Sequence, residues 1–437
     1  MDKLAVAAAL VFAAVSRVLL FVRQSPQPPN MRTPEHNVAV IGGGPAGALA
    51  GARLAAEGRD VVLFDEKLAW EKPCGGGITH KALLQYPFLT EAGGEDNPGN
   101  LNRNFVDRCE LISPSGQRVC FNLQYPVAIF SRLALNGLLL KRARRSGVAV
   151  HQERITRIAR YSGGWQLFTP QGEYQASYLV LAAGARTPFR SQFLSPIAPS
   201  DLMITAGYFI PGRSSLMQVQ FLKGITGYIW IFPRADHVSA GIAGKMGEAP
   251  AAELRRMLER WLEQNGFCLD GAQFYSHILP SFRAETFENL EVCADGWAMV
   301  GDSAGLVDPI TGEGLYYALR SAELCASALL AGRPDEYAAL LQQEVLPELK
   351  LAASVSQRFY SGQIFGESVL ERMVSLTAQS ASFRELMSDL FAGMQGYRDL
   401  RARLCRMLPS VMAQGLAGTL RQSWSAGAEF AGDPLAE

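Results

Sequence analysis

The feature that most constrains the fold is a glycine-rich turn set between an apolar strand and an alanine-rich helix. Val38–Ile41 is a short apolar run, the pattern of a parallel strand buried on both faces. Gly42-Gly43-Gly44-Pro45-Ala46-Gly47 follows, then the Ala/Leu-rich stretch Ala48–Glu57, closed by Gly58. A second strand, Val61–Phe64, ends at Asp65, 23 residues after Gly42. In that context Gly42-x-Gly44-x-x-Gly47 is the fingerprint of a dinucleotide-binding βαβ unit. Gly42 permits the tight turn, Gly44 lets the backbone approach a pyrophosphate, and Gly47 lets helix and strand pack closely. Asp65 is placed to accept hydrogen bonds from an adenosine ribose. The helix that opens at Pro45 and Ala46 offers its unpaired N–H groups and positive dipole end to the phosphates.

Composition removes several classes of partner. The chain has 437 residues, 48% of them hydrophobic, with 41 Lys+Arg against 41 Asp+Glu. That is globular composition with room for two or three structural units. A net charge of zero lacks the basic footprint of a nucleic-acid binder, so no nucleic acid is expected. The seven cysteines are scattered, form no C-x-x-C pair, and do not cluster with the five histidines. Zinc, iron–sulfur and disulfide readings are therefore disfavoured, no metal is expected, and reduced thiols fit a cytoplasmic protein. At the N-terminus an apolar stretch, Leu4–Val15, continues past Arg17 to Val22 and leads into a Pro-rich link, Ser25–Pro34, containing Met31. A membrane-seating helix, a signal and an upstream extension starting naturally at Met31 compete there, and the last is preferred.

The rest of the chain reads as α/β: a Rossmann-like nucleotide-binding domain, an inserted antiparallel-sheet substrate domain and a helical C-terminal region. The first unit takes residues 36–80, 125–192 and 290–332, and the sheet unit takes 81–124 and 193–289. Residues 333–437 form the helical region, and residues 1–35 the N-terminal extension and linker. Strands are expected at Val148–His151, Trp165–Phe168, Tyr178–Leu181 and Trp297–Val300, with a helix at about Leu133–Arg145. Alternation over residues 200–245 suggests a half-buried antiparallel sheet. Helical periodicity runs from Pro334 to about Trp424.

The glycine fingerprint alone leaves NAD and FAD open. A second signal decides for FAD. Trp297-Ala-Met-Val-Gly301-Asp302-Ser-Ala-Gly305 puts a Gly-Asp pair at a strand end, and Asp308-Pro-Ile-Thr311-Gly312-Glu313-Gly314 opens another helix. The combination resembles the FAD-binding monooxygenase and reductase superfamily, in which the Asp binds the ribityl chain. The resemblance implies that the backbone of Gly312, Glu313 and Gly314 lies near the flavin and pyrophosphate, and that Arg132 approaches FAD. Lys72-Pro73-Cys74-Gly75-Gly76-Gly77-Ile78 and Gly227-Tyr228-Ile-Trp230-Ile-Phe232-Pro233…Gly241 narrow it further, as does Gly396-Tyr397-Arg398-Asp399-Leu400. As a set these resemble the geranylgeranyl reductase family, whose members hydrogenate isoprenoid double bonds. Two departures stand out. The segment Leu181–Arg190 lacks the family's Asp, although Gly184 still permits close backbone approach, and Ala243 replaces a glycine.

The implied reaction is reduction of C=C bonds in an isoprenoid chain by hydride from reduced flavin, with NADPH or another reductant as external donor. Protonation of an isolated alkene develops cation character, which favours an apolar tunnel with aromatic faces. Tyr228 and Trp230, alternate residues on one strand face, suit that wall. Cys74, in a glycine loop, is a candidate to position substrate or relay a proton. The alternative is an FAD-dependent monooxygenase of hydroxylase or halogenase type. The missing Asp beside Gly184 counts against a directly NADPH-reduced hydroxylase. Arg398, Arg401, Arg403 and Arg406, interleaved with Leu400, Leu404 and Leu408, admit a peripheral lipid contact, although a solvated helix face is preferred.

Overall fold

The computed structural model describes residues 35–90, 103–364 and 366–407. The N-terminal extension and the helical pattern beyond residue 407 lie outside the described residues. The first sheet has the parallel order Trp297–Met299, Glu173–Leu181, Glu35–Ile41, Val61–Phe64, Ala149–His151. Val38–Ile41 and Val61–Phe64 are buried throughout, as strands covered on both faces must be. One cover is the helix Pro45–Ala56, whose small residues from Pro45 to Ala52 are nearly all buried. Ala46 and Ala318 of the helix Leu315–Leu330 close on Gly301, where an added Cβ would lie 3.2 Å from Ala46 Cβ.

The second sheet runs Gln273–Pro280, Leu202–Pro211, His237–Lys245, Gly227–Pro233, Met217–Phe221, Arg103–Ile112, Arg118–Phe130, Gly77–Ile78. Only the pair Met217–Phe221 with Arg103–Ile112 is parallel. The sequence suggested a half-buried sheet over 200–245, but His237–Lys245 is buried from Val238 to Gly244. The helix Ala251–Gln264 explains the difference. Leu254, Leu258, Trp261 and Leu262 pack on Ala240 and Ile242, covering the face that alternation leaves to water. Gly77–Ile78 and residues 125–130 pair in this second sheet rather than the nucleotide-binding one. The strand Arg118–Phe130 passes through Ser131 into the helix Arg132–Arg145, which packs on the first sheet's core. Ser131 accepts from Ala134 N–H at 3.4 Å and so starts that helix.

Beyond residue 333 come helices Glu336–Glu344, Leu346–Ser361, Val369–Gln379 and Ala381–Phe391, with residues 397–407 helical as well. Leu370, Met373, Val374, Leu386 and Met387 pack against Met217, Val219 and Phe221 of the second sheet. Among the described residues no helix is long and apolar enough to cross a membrane.

Candidate active site

The glycine turn folds as its residue types demand. Gly42 has φ +108°, and an added Cβ would sit 2.4 Å from the Ala182 carbonyl oxygen. Gly47 is tighter still: its Cβ would lie 1.9 Å from the Gly42 oxygen. Gly44, the N-cap of the helix, has nothing within 4 Å of where its Cβ would be. That open space in front of a helix N-terminus fits a pyrophosphate. Asp65 carries more of the turn than its sequence position suggested. Its Oδ2 accepts from Gly43 N–H at 2.7 Å, and its Oδ1 from Lys67 and Leu68 N–H at 2.8 and 2.6 Å. A carboxylate has lone pairs beyond these three for a ribose.

Opposite the turn stand Gly184 and the Gly301-Asp302 segment. Gly184 (φ +80°) stands between two alanines, with no acidic neighbour, and Ser303 ties it down. The Ser303 hydroxyl accepts from Gly184 N–H at 2.8 Å. Asp302 Oδ2 lies 4.0 Å from Lys72 Nζ, whose pKa burial lowers while Asp302 pulls it back up. Arg132 is 4% exposed, and among the described residues its Nε is buried without a partner and its one side-chain hydrogen bond is a 3.4 Å contact to Asn136. A buried, under-satisfied guanidinium beside an open helix N-terminus fits an anionic ligand. His277, given no role by the sequence, lines the same cavity. Burial, with Lys72 beside it, pushes its imidazole well below the usual pKa, so the ring is neutral.

The two motifs that narrowed the family are in contact. Tyr228 and Trp230 share a strand face as expected, with ring centroids 6.1 Å apart in an edge-on arrangement. Trp230 pairs across the ladder with Gly241, where an added Cβ would fall 2.2 Å from the indole. Phe232, next on that face, lies under the cysteine loop: a Cβ on Gly75 would be 2.5 Å from its ring. Gly76 (φ +85°) bends the loop over Phe130. The glycines of both motifs are thus the space occupied by the aromatics. Tyr228 O–H donates to the Thr311 carbonyl at 2.6 Å, and burial pushes its phenol far above the ordinary range. It stays protonated and serves as wall. Cys74 Sγ accepts from Gly76 N–H at 3.3 Å.

The C-terminal motif closes the site. Tyr397 O–H donates to Asp308 Oδ2 at 2.8 Å, its N–H bonds Glu348 at 2.6 Å, and a Cβ on Gly396 would press on the Glu348 carboxylate. Arg398 and Arg403 pair with Glu348 and Asp389 at 3.7 and 2.6 Å. Leu400 lines the cavity, Leu404 is partly exposed, and Leu408 lies outside the described residues.

These parts enclose one cavity of about 600 Å3. It is lined by Gly42, Gly44, Pro45, Ala46 and Asp65 at the turn, and by Arg132, Gly184, Asp302, Gly312, Glu313 and Gly314 around it. Cys74, Tyr228 and Trp230 line it too, whereas Gly47 and Gly301 shape it from behind. Beyond the aromatics it continues between the second sheet and the C-terminal helices, walled by Val219, Phe221, Phe359, Met373, Met387 and Phe391. Burial raises the Glu313 carboxyl to about 7, with the Tyr316 N–H pulling the other way.

The model of the pyridine nucleotide-disulphide oxidoreductase family matches residues 36–194. Geranylgeranyl diphosphate reductase of Synechocystis sp. is 25% identical over 385 residues, covering 81% of this chain and 89% of that protein. Menaquinone reductase of Mycobacterium tuberculosis is 27% identical over 330 residues, covering 67% and 76%. A geranylgeranyl bacteriochlorophyll reductase-like protein from Thermoplasma acidophilum shares the fold, with a TM-score of 0.69 at 18% identity over 85% of this chain and 99% of that one. Over most of its length the chain is similar to geranylgeranyl reductases. It is an FAD-dependent oxidoreductase.

The residues present fit FAD: an open Gly44 cradle, a buried under-satisfied Arg132, and Asp302 at a strand end. Asp302→Ala is expected to weaken FAD binding by roughly 1.5–3 kcal/mol, the worth of a hydrogen bond to a charged group. A Kd for FAD equal to wild type, measured by quenching of flavin fluorescence, would take Asp302 out of the site. Glu71, Arg234 and His277 escaped the sequence reading. Their only local signal is that Glu71 precedes Lys72-Pro73-Cys74 and Arg234 follows Phe232-Pro233.

Proposed function

We propose that this chain reduces C=C bonds of an isoprenoid chain. The observation that carries the reading is the apolar arm of the cavity, which leads from the Tyr228–Trp230 face between the sheet and the methionine-bearing helices. Such an arm admits a long flexible hydrocarbon, and methionines adapt to an irregular branched one. Reduced FAD supplies the hydride. The residues do the rest. Gly42, Gly44, Pro45 and Ala46 take the pyrophosphate with Arg132; Asp65 takes the ribose and Asp302 the ribityl chain. The Gly184 and Gly312–Gly314 backbone bounds the flavin. Trp230 and the neutral Tyr228 offer ring faces to positive charge developing on the alkene. The apolar arm excludes water from that charge. Cys74, held at the junction, orients the chain or passes a proton. A hydrophobic substrate also favours contact with lipid, and the exposed Leu404 beside Arg401 suits such a contact.

The test is anaerobic photoreduction of bound FAD, followed by geranylgeranyl diphosphate, a geranylgeranylated lipid or a polyprenyl quinone. Re-oxidation without oxygen, with a product two hydrogens heavier in its prenyl chain, is expected for at least one. Flavin that stays reduced with all three, yet oxidises with oxygen and incorporates it into an aromatic compound, would overturn the reading in favour of a monooxygenase.

A further inference from the structure

Arg234 is 1% exposed, the largest fully buried side chain in the described structure. Its guanidinium is ion-paired with Glu71, donates to the Cys74 carbonyl at 2.5 Å, and lies over the Phe209 ring at 4.9 Å. Ser239 Oγ donates to the same Cys74 carbonyl at 3.0 Å. Glu71 in turn accepts from Ser131 Oγ at 2.6 Å and from Arg132 N–H at 2.8 Å. Burial works against the Glu71 carboxylate, yet Arg234, Ser131 and the Arg132 N–H together hold its pKa below the usual range. One ion pair therefore spans from the backbone of Cys74 to the first turn of the helix that carries Arg132.

A buried guanidinium is an expensive filler, because desolvation offsets most of its Coulombic gain. An apolar side chain of similar volume would fill the space at less cost, but it has no directional bonds to give. Apart from the His237 ring, which Nη1 of Arg234 meets at 3.2 Å, the bonds here end on two segments of the site. Arg234 and Ser239 fix the carbonyl of Cys74, and with it the backbone from which the thiol projects, three bonds from the carbonyl carbon. Glu71 fixes the N–H and the preceding hydroxyl at Arg132, which fixes where that guanidinium enters the cavity.

We propose that Glu71 and Arg234 are positioning residues that lock the Cys74 loop and the Arg132 helix into one register. The proposal rests on the site assignment above and gives it an asymmetry. Arg234 bonds directly to the Cys74 loop, whereas Glu71 bonds directly to the Arg132 segment and reaches the Cys74 loop through Arg234.

The test uses the full chain saturated with FAD and reads iodoacetamide modification of each cysteine by peptide mass spectrometry. The exposed Cys120 and Cys268 serve as internal controls. Arg234→Met is expected to speed Cys74 modification by about fivefold against those controls, leaving the FAD Kd within about twofold. Glu71→Gln is expected to speed Cys74 similarly and to raise the FAD Kd by about tenfold, the loss expected when a charged acceptor is removed. Ser239→Ala, which keeps the ion pair, is expected to move Cys74 alone and by less, and it carries the test if Arg234→Met does not fold. Equal effects of Glu71→Gln and Arg234→Met on FAD affinity would overturn the proposal. So would Cys74 rates that follow Cys120 and Cys268 in every variant. Failure of the wild-type enzyme to reduce any isoprenoid would instead strike the reaction assignment, since these readouts need no turnover.

Discussion

Gly44→Val is expected to give a folded, colourless protein. The position carries no positive φ and has open space where a Cβ would be, so the side chain meets no protein atom. It does meet the volume the pyrophosphate requires, and at least one or two charge-assisted bonds to the helix N-terminus are lost. At about 1.5–3 kcal/mol for each, the loss of two lowers the FAD affinity by roughly a hundredfold or more. Thermal unfolding of the apoprotein should match that of wild-type apoprotein. Gly47→Ala makes the contrast, because its Cβ would sit 1.9 Å from the Gly42 oxygen and the turn itself must break. That variant is expected to be poorly folded with or without FAD. A yellow Gly44→Val protein would show that the cofactor lies elsewhere, and equal apoprotein stability in both variants would show that the turn tolerates a side chain at Gly47.

The second large effect concerns the aromatic wall. Trp230→Ala is expected to slow re-oxidation of reduced flavin by an isoprenoid about thirtyfold or more, if its ring is worth about 2 kcal/mol to a desolvated cation. Because Trp230 is only 6% exposed, the same change also costs stability, on the order of 3–5 kcal/mol. Gly241→Ala separates the two effects. The indole remains, yet the new Cβ would overlap it at 2.2 Å, so the ring must swing off its strand and into the cavity. Stopped-flow re-oxidation should then fall more than tenfold, with FAD affinity unchanged and a full complement of aromatic residues. Trp230→Phe should keep much of the rate. If Gly241→Ala and Trp230→Ala both re-oxidise at the wild-type rate, the aromatic face takes no part in the chemistry.

What the sequence revealed and what it hid divide along chain separation. The glycine turn is legible because all its partners lie within one βαβ unit, and Tyr228 and Trp230 are legible as one face because strands have a period of two. Nothing local shows that Gly241 stands opposite Trp230, or that Phe232 lies under Gly75; strand register creates both contacts. Glu71 and Arg234 are 163 residues apart, and each reads as an ordinary surface charge. His277 has no neighbour in sequence that hints at Lys72 or Arg132. The alternation over 200–245 misled because it cannot report a helix, Ala251–Gln264, that packs on the outer face. The sequence marks Asp65 as a ribose candidate, but its bonds to Gly43, Lys67 and Leu68 depend on a turn that only the folded backbone shows.

The apolar arm has a kinetic consequence. The side chains that wall it, from Val219 and Phe221 to Met373, Met387 and Phe391, carry no charge and no hydrogen-bonding group save the weakly accepting methionine sulfurs. Hydrophobic attraction is non-directional, so a prenyl chain in that arm has many placements of nearly equal energy, one isoprene unit apart. Each placement brings a different double bond to the aromatic face. Under the proposed function, a bound prenyl chain would therefore be shunted along its own axis and reduced repeatedly without leaving. The degree of saturation of the product then becomes a competition between sliding, flavin re-reduction and escape, so that one enzyme yields a distribution that shifts with donor concentration.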